Sequence, residues 1–257
     1  TLGQGKNNVS SGNIALFLSL IFLVHPIVTQ AVSWIPARGD ILLAIFLLLS
    51  AICFSDYLLK QKSKHLIGHL FFLFLALFSK ETAFVSPVFF ILYLYLFSDK
   101  RLFNRTNTIL LSGWIAVSIL WFWLRQNAIS SAGIEDTSFV KILGIVSNNI
   151  SAIPLYVGKM LLPINMSVFP LLKDSSLIYG LVTMGIISFY AVWNRSGLTK
   201  YFFIGLVWMI LFLAPITLNY DDPSQMAFFE HRAYLHLIGF LIMALDFVPK
   251  LNLKHGK

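Results

Sequence analysis

The chain has 257 residues, of which 58% are hydrophobic and only 12% charged, and its mean hydropathy is +0.80. A soluble domain of this length cannot bury so much apolar surface in one core, so the composition excludes an ordinary soluble protein and predicts that lipid is the solvent. The net charge is +8, but the Lys and Arg residues are scattered in short segments between apolar runs. We therefore expect anionic lipid headgroups, and no nucleic acid, as partners.

Eight apolar runs predict membrane-spanning helices, so the sequence indicates an all-α, polytopic transmembrane helical bundle. In chain order they cover residues 14–31, 40–58, 66–79, 82–98, 108–126, 176–194, 201–218 and 233–249. A ninth stretch, 139–163, is interrupted by polar residues at 147–149 and contains Pro154 and Lys159, which favours an interfacial or re-entrant helix. We expect one transmembrane domain over 1–257 and no soluble domain.

Basic residues predict the orientation, because short cytoplasmic loops of membrane proteins are enriched in Lys and Arg. The residues expected in the cytoplasm are Lys60, Lys62, Lys64, Lys100, Arg101, Arg105, Arg195, Lys200, Lys250, Lys254 and Lys257. The opposite segments hold most of the acids, namely Asp40, Glu81, Glu135, Asp136, Asp174, Asp221, Asp222 and Glu230. Both groups keep their sides only if the region 128–175 begins and ends on the outer face. A single crossing by 139–163 would place the later basic segments outside.

Three polar clusters lie at the predicted outer ends of spans, where an ionised group is costly unless a partner or substrate uses it. The segment HPIVTQAVSWIPARGD contributes His25, Gln30, Trp34, Arg38 and Asp40, a tight turn contributes Ser79, Lys80 and Glu81, and the segment FFEHRAYLHLIGF contributes Glu230, His231, Arg232, Tyr234 and His236. Each cluster taken singly is also what a solvated turn looks like. Three on one predicted face favour a shared outer-facing cavity, with Arg38, Lys80 and Arg232 as its positive charges. His69, inside a span, is expected to be a packed core histidine.

Several common catalytic signatures are missing from the sequence. It has no GxxxxGK[ST], HExxH or GxSxG motif, so nucleotide hydrolysis, zinc-protease chemistry and serine hydrolysis have no support. The one cysteine, Cys53, falls within an apolar run and offers neither a disulfide nor a cysteine metal site. We predict no metal ligands from these patterns.

The three clusters resemble motifs of the polytopic C-type glycosyltransferases, and among them the transmembrane and tetratricopeptide-repeat O-mannosyltransferases and their bacterial relatives. Members carry a segment like HPVHTEAVAWISGRADLL, and HPIVTQAVSWIPARGDIL here keeps the His-Pro, Thr, Ala-Val, Trp-Ile, Arg and Asp in register. A family Ser-Lys-Glu turn is similar to residues 79–81, and a segment of the type E-H-R-x-Y-L-P-x-I-G-F is similar to residues 230–240. The chain departs from the family pattern at Val28, Gln30, Pro36, Ala37 and His236.

The resemblance implies transfer of a sugar from a polyprenyl-phosphate-linked donor to a protein hydroxyl or glycan acceptor. The reaction would take place on the outer face of a bacterial inner membrane or the luminal face of the endoplasmic reticulum. It implies substrate-binding roles for His25, Arg38, Lys80, Glu230, His231, Arg232 and Tyr234. Arg232 and Arg38 are the first candidates for stabilising the phosphate of the leaving lipid, and Lys80 is the third.

The acceptor base of the family lies in a first luminal loop, which we expect upstream of Thr1, so the chain resembles a fragment of a longer enzyme. Asp40 and Glu81 are the carboxylate candidates within the chain, and we expect them to orient basic partners. The resemblance implies the lipid-linked sugar as donor substrate, and it leaves open whether a divalent metal ion is required.

Three other functions remain as alternatives. A polysaccharide polymerase or ligase would use the same lipid-linked donors and also need outer arginines. A transporter or channel predicts charges in mid-span and often internal symmetry, whereas here the charges cluster at span ends and no repeat is present. A non-catalytic membrane scaffold is the last alternative.

Overall fold

The computed structural model describes residues 11–97, 104–129, 144–147, 149–167, 176–217 and 229–247. Across these ranges the chain is helical and contains no strand, as the composition predicts. The helices discussed below are α1 (Ser11–Val24), α2 (Thr29–Ser33), α3 (Arg38–Lys60), α4 (Ser63–Ser79), α5 (Ser86–Phe97), α6 (Arg105–Ile129), α7 (Ala152–Leu161), α8 (Ile178–Trp193), α9 (Lys200–Thr217) and α10 (Tyr234–Ala244). Short 3-10 turns occupy Pro26–Val28, Ile35–Ala37, Glu81–Val85, Glu230–Ala233 and Leu245–Phe247.

Each of the eight predicted apolar runs coincides with a helix, but the prediction of about eight spans is too high. Within the described residues, three helices are long and apolar enough to cross a membrane: Ile35–Lys60, Arg105–Ala128 and Lys200–Thr217. A fourth would be α1 together with Pro26–Ser33, a pair bent by 56°. These three to four helices are compatible with a membrane protein.

The shorter helices explain the difference between apolar runs and spans. Ser63–Ser79, Glu81–Phe97 and Ile178–Trp193 are apolar but have only 16 or 17 residues, about 24–26 Å at 1.5 Å per residue. The hydrocarbon core of a bilayer is about 30 Å thick. In the first apolar run, Pro26 starts a 3-10 turn that ends the regular helix after α1.

Helices α3 and α4 form an antiparallel hairpin that packs against α6 around one polar core network. Gln61 ends α3 in a left-handed conformation with φ of 53° and turns the chain into α4. His69 is fully buried, as expected; its Nδ1 lies 2.8 Å from the Ser50 Oγ, and its Nε2 accepts the Trp114 Nε1–H at 2.7 Å. The histidine joins three helices and leaves none of its ring nitrogens unpaired, because buried polar groups require partners.

In two helix pairs, α7 with α8 and α9 with α10, the backbones approach each other closely. At the crossing of α9 and α10, a Cβ added to Gly239 would lie 2.7 Å from the Gly205 carbonyl oxygen. The Trp208 Nε1–H donates to the Leu235 carbonyl across the same pair at 2.8 Å. Where α7 meets α8, a Cβ at Gly158 would lie 2.7 Å from a backbone nitrogen of α8. Small residues therefore set the spacing of both helix pairs.

The bundle has two ends, and we call the one that contains Asp40, Lys80, Arg125 and Glu230 the site end. These residues lie at the start of α3, the end of α4, the last turns of α6 and the turn before α10. The opposite end contains the α3–α4 loop and Asp246, which accepts a hydrogen bond from the Thr199 backbone N–H before α9.

The C-terminal end of α6 and the N-terminal end of α8 both lie at the site end. Arg125 of α6 pairs with Glu81 there, and the start of α8 packs on α7, which is bonded to Glu230. The end of α6 and the start of α8 thus lie at the same end of the bundle, which agrees with the predicted orientation. Helix α7 is about 15 Å long, too short to cross a bilayer alone; residues 139–143 and 148 of the predicted interfacial stretch lie outside the described residues.

Candidate functional site

The three predicted clusters meet at the site end, where two buried carboxylates are each held by a lysine. We call Asp40, Lys80, Lys159, Glu230 and His231 the polar cluster. Asp40, Lys159, Glu230 and His231 are all buried, and Lys80 is half-buried. The ionised members lie at helix ends, where a charged group in an apolar bundle can be matched by partners and backbone dipoles.

Asp40 pairs with Lys80 across the α3–α4 hairpin. The Lys80 Nζ donates to the Asp40 Oδ1 at 2.6 Å. Asp40 lies in the first turn of α3 and Lys80 follows the last residue of α4, so each charge has the sign that its helix end favours. Gly39 permits the approach, because a Cβ there would lie 3.3 Å from the Ser79 carbonyl oxygen.

Glu230 pairs with Lys159, a residue that the sequence analysis did not include in the site. The two side chains are 4% and 8% exposed and 2.6 Å apart, and the Glu230 Oε1 also accepts the Ser167 backbone N–H at 2.9 Å. The Lys159 Nζ donates in addition to the Asn165 carbonyl oxygen at 2.9 Å. A buried lysine within an apolar helix needs an acidic partner. This requirement could have identified Lys159 from the sequence as a candidate site residue. The sequence does not indicate which acid is its partner.

His231 follows Glu230 in the chain, and its imidazole lies beside the Asp40–Lys80 pair. Its Nε2 is 4.0 Å from the Asp40 Oδ2, and its backbone N–H donates to the Gln30 Oε1 at 3.1 Å. The Trp34 and Phe229 rings pack on the imidazole with centroids at 5.3 and 5.4 Å. Burial, reinforced by the positive charges of Lys80 and Arg232, lowers the pKa of His231 to about 4. The imidazole is therefore neutral at neutral pH.

The three predicted cations lie at the same end but differ in exposure. Arg38, the first residue of α3, is exposed, whereas Lys80 and Arg232 are half-buried. The Arg232 guanidinium lies 5.0 Å from the centroid of the Phe229 ring. Charges on Lys80 and Arg232 both act on the Asp40 carboxylate. The structure thus brings the three cations to one end of the bundle.

Glu81 does not pair with any of these three cations. Its Oε1 accepts from Arg125 Nη2 at 2.7 Å, and the glutamate side chain is 69% exposed. Arg125 also packs on the ring of Trp121, with 5.4 Å to the centroid. Glu81 therefore pairs with an arginine outside the predicted set.

His25, Tyr234 and His236 make packing contacts beside the polar cluster. The His25 Nδ1 accepts the Ile27 backbone N–H at 3.2 Å and its Nε2 lies 3.1 Å from the Met160 carbonyl oxygen, so His25 caps the turn after α1 and ties it to α7. The Tyr234 ring packs edge-on against the ring of Phe22 in α1. His236 is buried and stacks on Tyr156 at a centroid distance of 6.1 Å. None of the three joins an ion pair among the described residues.

Within the described residues, no group of three or more His, Cys, Asp or Glu side chains is placed to hold a metal ion. The fold and the site together define an all-helical protein with helices long enough to cross a membrane and a charged cluster at one end of its bundle. No protein-family model matches the chain, and comparisons with curated proteins and with solved structures found no match either. The resemblance to the C-type glycosyltransferases therefore depends on the sequence motifs alone.

Proposed function

We propose that the protein transfers a sugar from a polyprenyl-phosphate-linked donor to a protein or glycan acceptor at the site end, and that this end faces the outer or luminal side of the membrane. The donor is an amphipathic lipid whose phosphate lies at the membrane surface. Negative charge on that phosphate grows as the glycosidic bond breaks. Cations held in place at a low-dielectric surface stabilise such a charge more than the same cations do in water.

The observation that carries the proposal is the convergence of Arg38, Lys80 and Arg232 at one end of the bundle. They come from three distant segments, and Lys80 and Arg232 both act on one buried carboxylate, Asp40. Arg38 is exposed at this end, so the phosphate of a lipid donor can reach its guanidinium group.

The buried members of the polar cluster have supporting roles in this mechanism. Asp40 fixes the Lys80 ammonium at 2.6 Å, so that this charge is in place before the donor binds. Glu230, held by Lys159, fixes the turn that carries Arg232. Arg232 and Arg38 bind the phosphate, since guanidinium groups form paired hydrogen bonds with phosphate oxygens.

The test measures transfer from polyprenyl-phosphate-[14C]mannose by the full-length protein in membrane vesicles, with other polyprenyl-phosphate sugars as further donors. We expect Arg38→Ala and Arg232→Ala each to lower kcat by about 100-fold or more, the range known for loss of one transition-state charge partner. Arg232→Lys should keep part of the activity, because lysine retains the positive charge but lacks the planar guanidinium group that binds two phosphate oxygens.

Arg195→Ala is the matched control, because Arg195 is exposed and follows α8 at the opposite end. Its activity should equal that of the wild type. Equal activity of all three alanine variants would contradict the proposal, as would a wild-type protein that uses none of the donors. Gel filtration in detergent shows that each variant is folded.

A further inference from the structure

A cavity of about 410 Å³ lies at the opposite end of the bundle, away from the polar cluster. It is formed by the last turns of α3 and α5 and the start of α6. Its lining residues are Ser55, Leu58, Leu59, Gln61, Tyr93, Leu94, Phe97, Asn104, Thr106 and Asn107. By comparison, the cavity beside Lys159 has a volume of only about 10 Å³, roughly the space for one water molecule.

The lining has an apolar part and a polar part. Leu58, Leu94 and Phe97 belong to the apolar surfaces of α3 and α5, and Leu94 is fully buried. Polar groups come from the helix ends, where the Thr106 Oγ1 donates to the Gln61 Oε1 at 2.9 Å. Such a division matches an amphipathic ligand whose headgroup lies at the helix ends and whose chain follows the apolar helix surfaces.

Three basic residues lie close to residues of the cavity lining, in space or along the chain. The Lys200 Nζ lies 5.6 Å from the centroid of the lining residue Phe97. Arg105 stands between the lining residues Asn104 and Thr106, and Lys62 follows Gln61 in the chain; both are exposed. Among the described residues near the lining, the acid Asp56 is paired with Lys60 at 2.7 Å. Lys62, Arg105 and Lys200 therefore leave an excess of positive charge within the described part of this rim.

We infer that this cavity binds an anionic phospholipid, with the lipid phosphate held by Lys200, Arg105 and Lys62 and an acyl chain lying against Leu58 and Leu94. Basic pockets between membrane helices on the cytoplasmic side are suited to such headgroups. The inference is independent of the sugar-transfer proposal, because it uses no residue of the polar cluster and concerns the other end of the bundle.

The experiment measures the Tm of the purified full chain in neutral detergent as phosphatidylglycerol, phosphatidylcholine or inorganic phosphate is added. Phosphatidylglycerol should raise the Tm, because a ligand that binds only the folded state stabilises it. Phosphatidylcholine and inorganic phosphate should not. A rise with inorganic phosphate alone would show a free-anion site and overturn the lipid assignment.

Variants locate the binding. Arg105→Ala and Lys200→Ala should each weaken the apparent affinity for phosphatidylglycerol about fivefold, and Leu58→Trp, which fills the cavity, should abolish the Tm shift. Arg195→Ala, which removes a charge at the same end but away from the cavity, should leave the shift unchanged. Equal shifts in all four variants would mean unspecific lipid binding and would refute the inference.

A direct measurement covers variants that do not fold. A photoreactive phosphatidylglycerol is cross-linked to the wild-type chain, and the modified peptides are identified by mass spectrometry. Cross-links should concentrate in α3, α5 and the start of α6. Cross-links spread evenly over all lipid-facing helices would contradict a defined site.

Discussion

Lys159 and Glu230 form the most buried ion pair among the described residues, and they join α7 to the turn before α10. Removing one partner of such a pair leaves an uncompensated charge in the interior. We expect Lys159→Met to lower the free energy of unfolding by about 3–5 kcal/mol. Urea unfolding in detergent, followed by tryptophan fluorescence, measures the change.

The double variant Lys159→Met with Glu230→Gln tests whether the loss of stability comes from the buried charge that is left without a partner. It removes both charges and should recover much of the stability that the single variant loses, because neither partner is left charged and alone. A single variant as stable as the wild type would contradict the role of the pair. Lys60→Ala, which breaks the exposed pair with Asp56, is the control and should change stability little.

His231 makes stability depend on pH in the acidic range. Its pKa is lowered from 6.5 to about 4 in the folded protein, so the folded state favours the neutral ring. The resulting stability is complete above pH 6.5 and is lost as the pH falls from 6.5 towards 4, because the unfolded chain binds the proton first. Asp40, 4.0 Å away, is already paired with Lys80 and does not supply a free negative charge.

The measurement is the Tm of the wild type and of His231→Gln between pH 7.5 and 4. Between pH 6.5 and 4 the Tm of His231→Gln should fall less than the Tm of the wild type, because the variant has no imidazole to protonate at this position. The two curves of Tm against pH should therefore converge towards low pH. His65→Gln is the control, since His65 lies beside Asp56 at the opposite end. Parallel curves for wild type and His231→Gln would contradict the assignment.

At the scale of helices, glycines decide how closely α9 and α10 pack. A methyl group at position 239 would meet the Gly205 carbonyl oxygen at 2.7 Å and the Met209 nitrogen at 2.8 Å, both backbone atoms that cannot turn away. We expect Gly239→Ala to lower the free energy of unfolding by about 1–3 kcal/mol through overpacking. Because α10 begins next to Arg232, the same change should also reduce transfer activity.

Gly185→Ala is the matched control for this substitution. Gly185 lies within α8, and nothing is within 4 Å of a Cβ placed there. Alanine favours the helix over glycine by about 1 kcal/mol, so this variant should be equally or more stable. A Gly239→Ala protein with wild-type stability would show that the two helices can separate without cost.

At the scale of the whole molecule, the orientation predicted from the basic residues can be tested by labelling. In a Cys53→Ser background, a cysteine at Glu81 should react with a membrane-impermeant maleimide added outside. Cysteines at Lys62 and Ser196 should react only after the membrane is opened, because they lie in the basic segments at the other end of the bundle.

Ser196 is the decisive position. It follows 139–163 and α8 in the chain, so its side depends on whether that region returns to the face it left. Labelling of the Ser196 cysteine from outside, with the Lys62 cysteine protected, would mean that 139–163 crosses the membrane once. The site end would then lose the common orientation that the proposed function needs.

The sequence alone determined the helical class, the positions of the apolar helices and the segments that converge at the site end. These features are local: hydrophobicity and proline placement act within a few residues, and antiparallel neighbours bring alternate loops to one end. His69 was assigned to the core for the same reason. The short apolar runs at 66–79 and 82–98 were also visible in the sequence, but counting every run as a span gave too many spans, since the matching helices have at most 17 residues.

Only the tertiary structure decided which acid pairs with which base. Asp40 takes Lys80, Glu81 takes Arg125 and Glu230 takes Lys159, and two of these three bases were absent from the predicted site. The partners lie on separate helices, so their pairing depends on how the helices pack and which charges are buried together. Coulomb attraction in an apolar interior is strong but does not depend on separation along the chain, and a sequence pattern therefore carries no record of it.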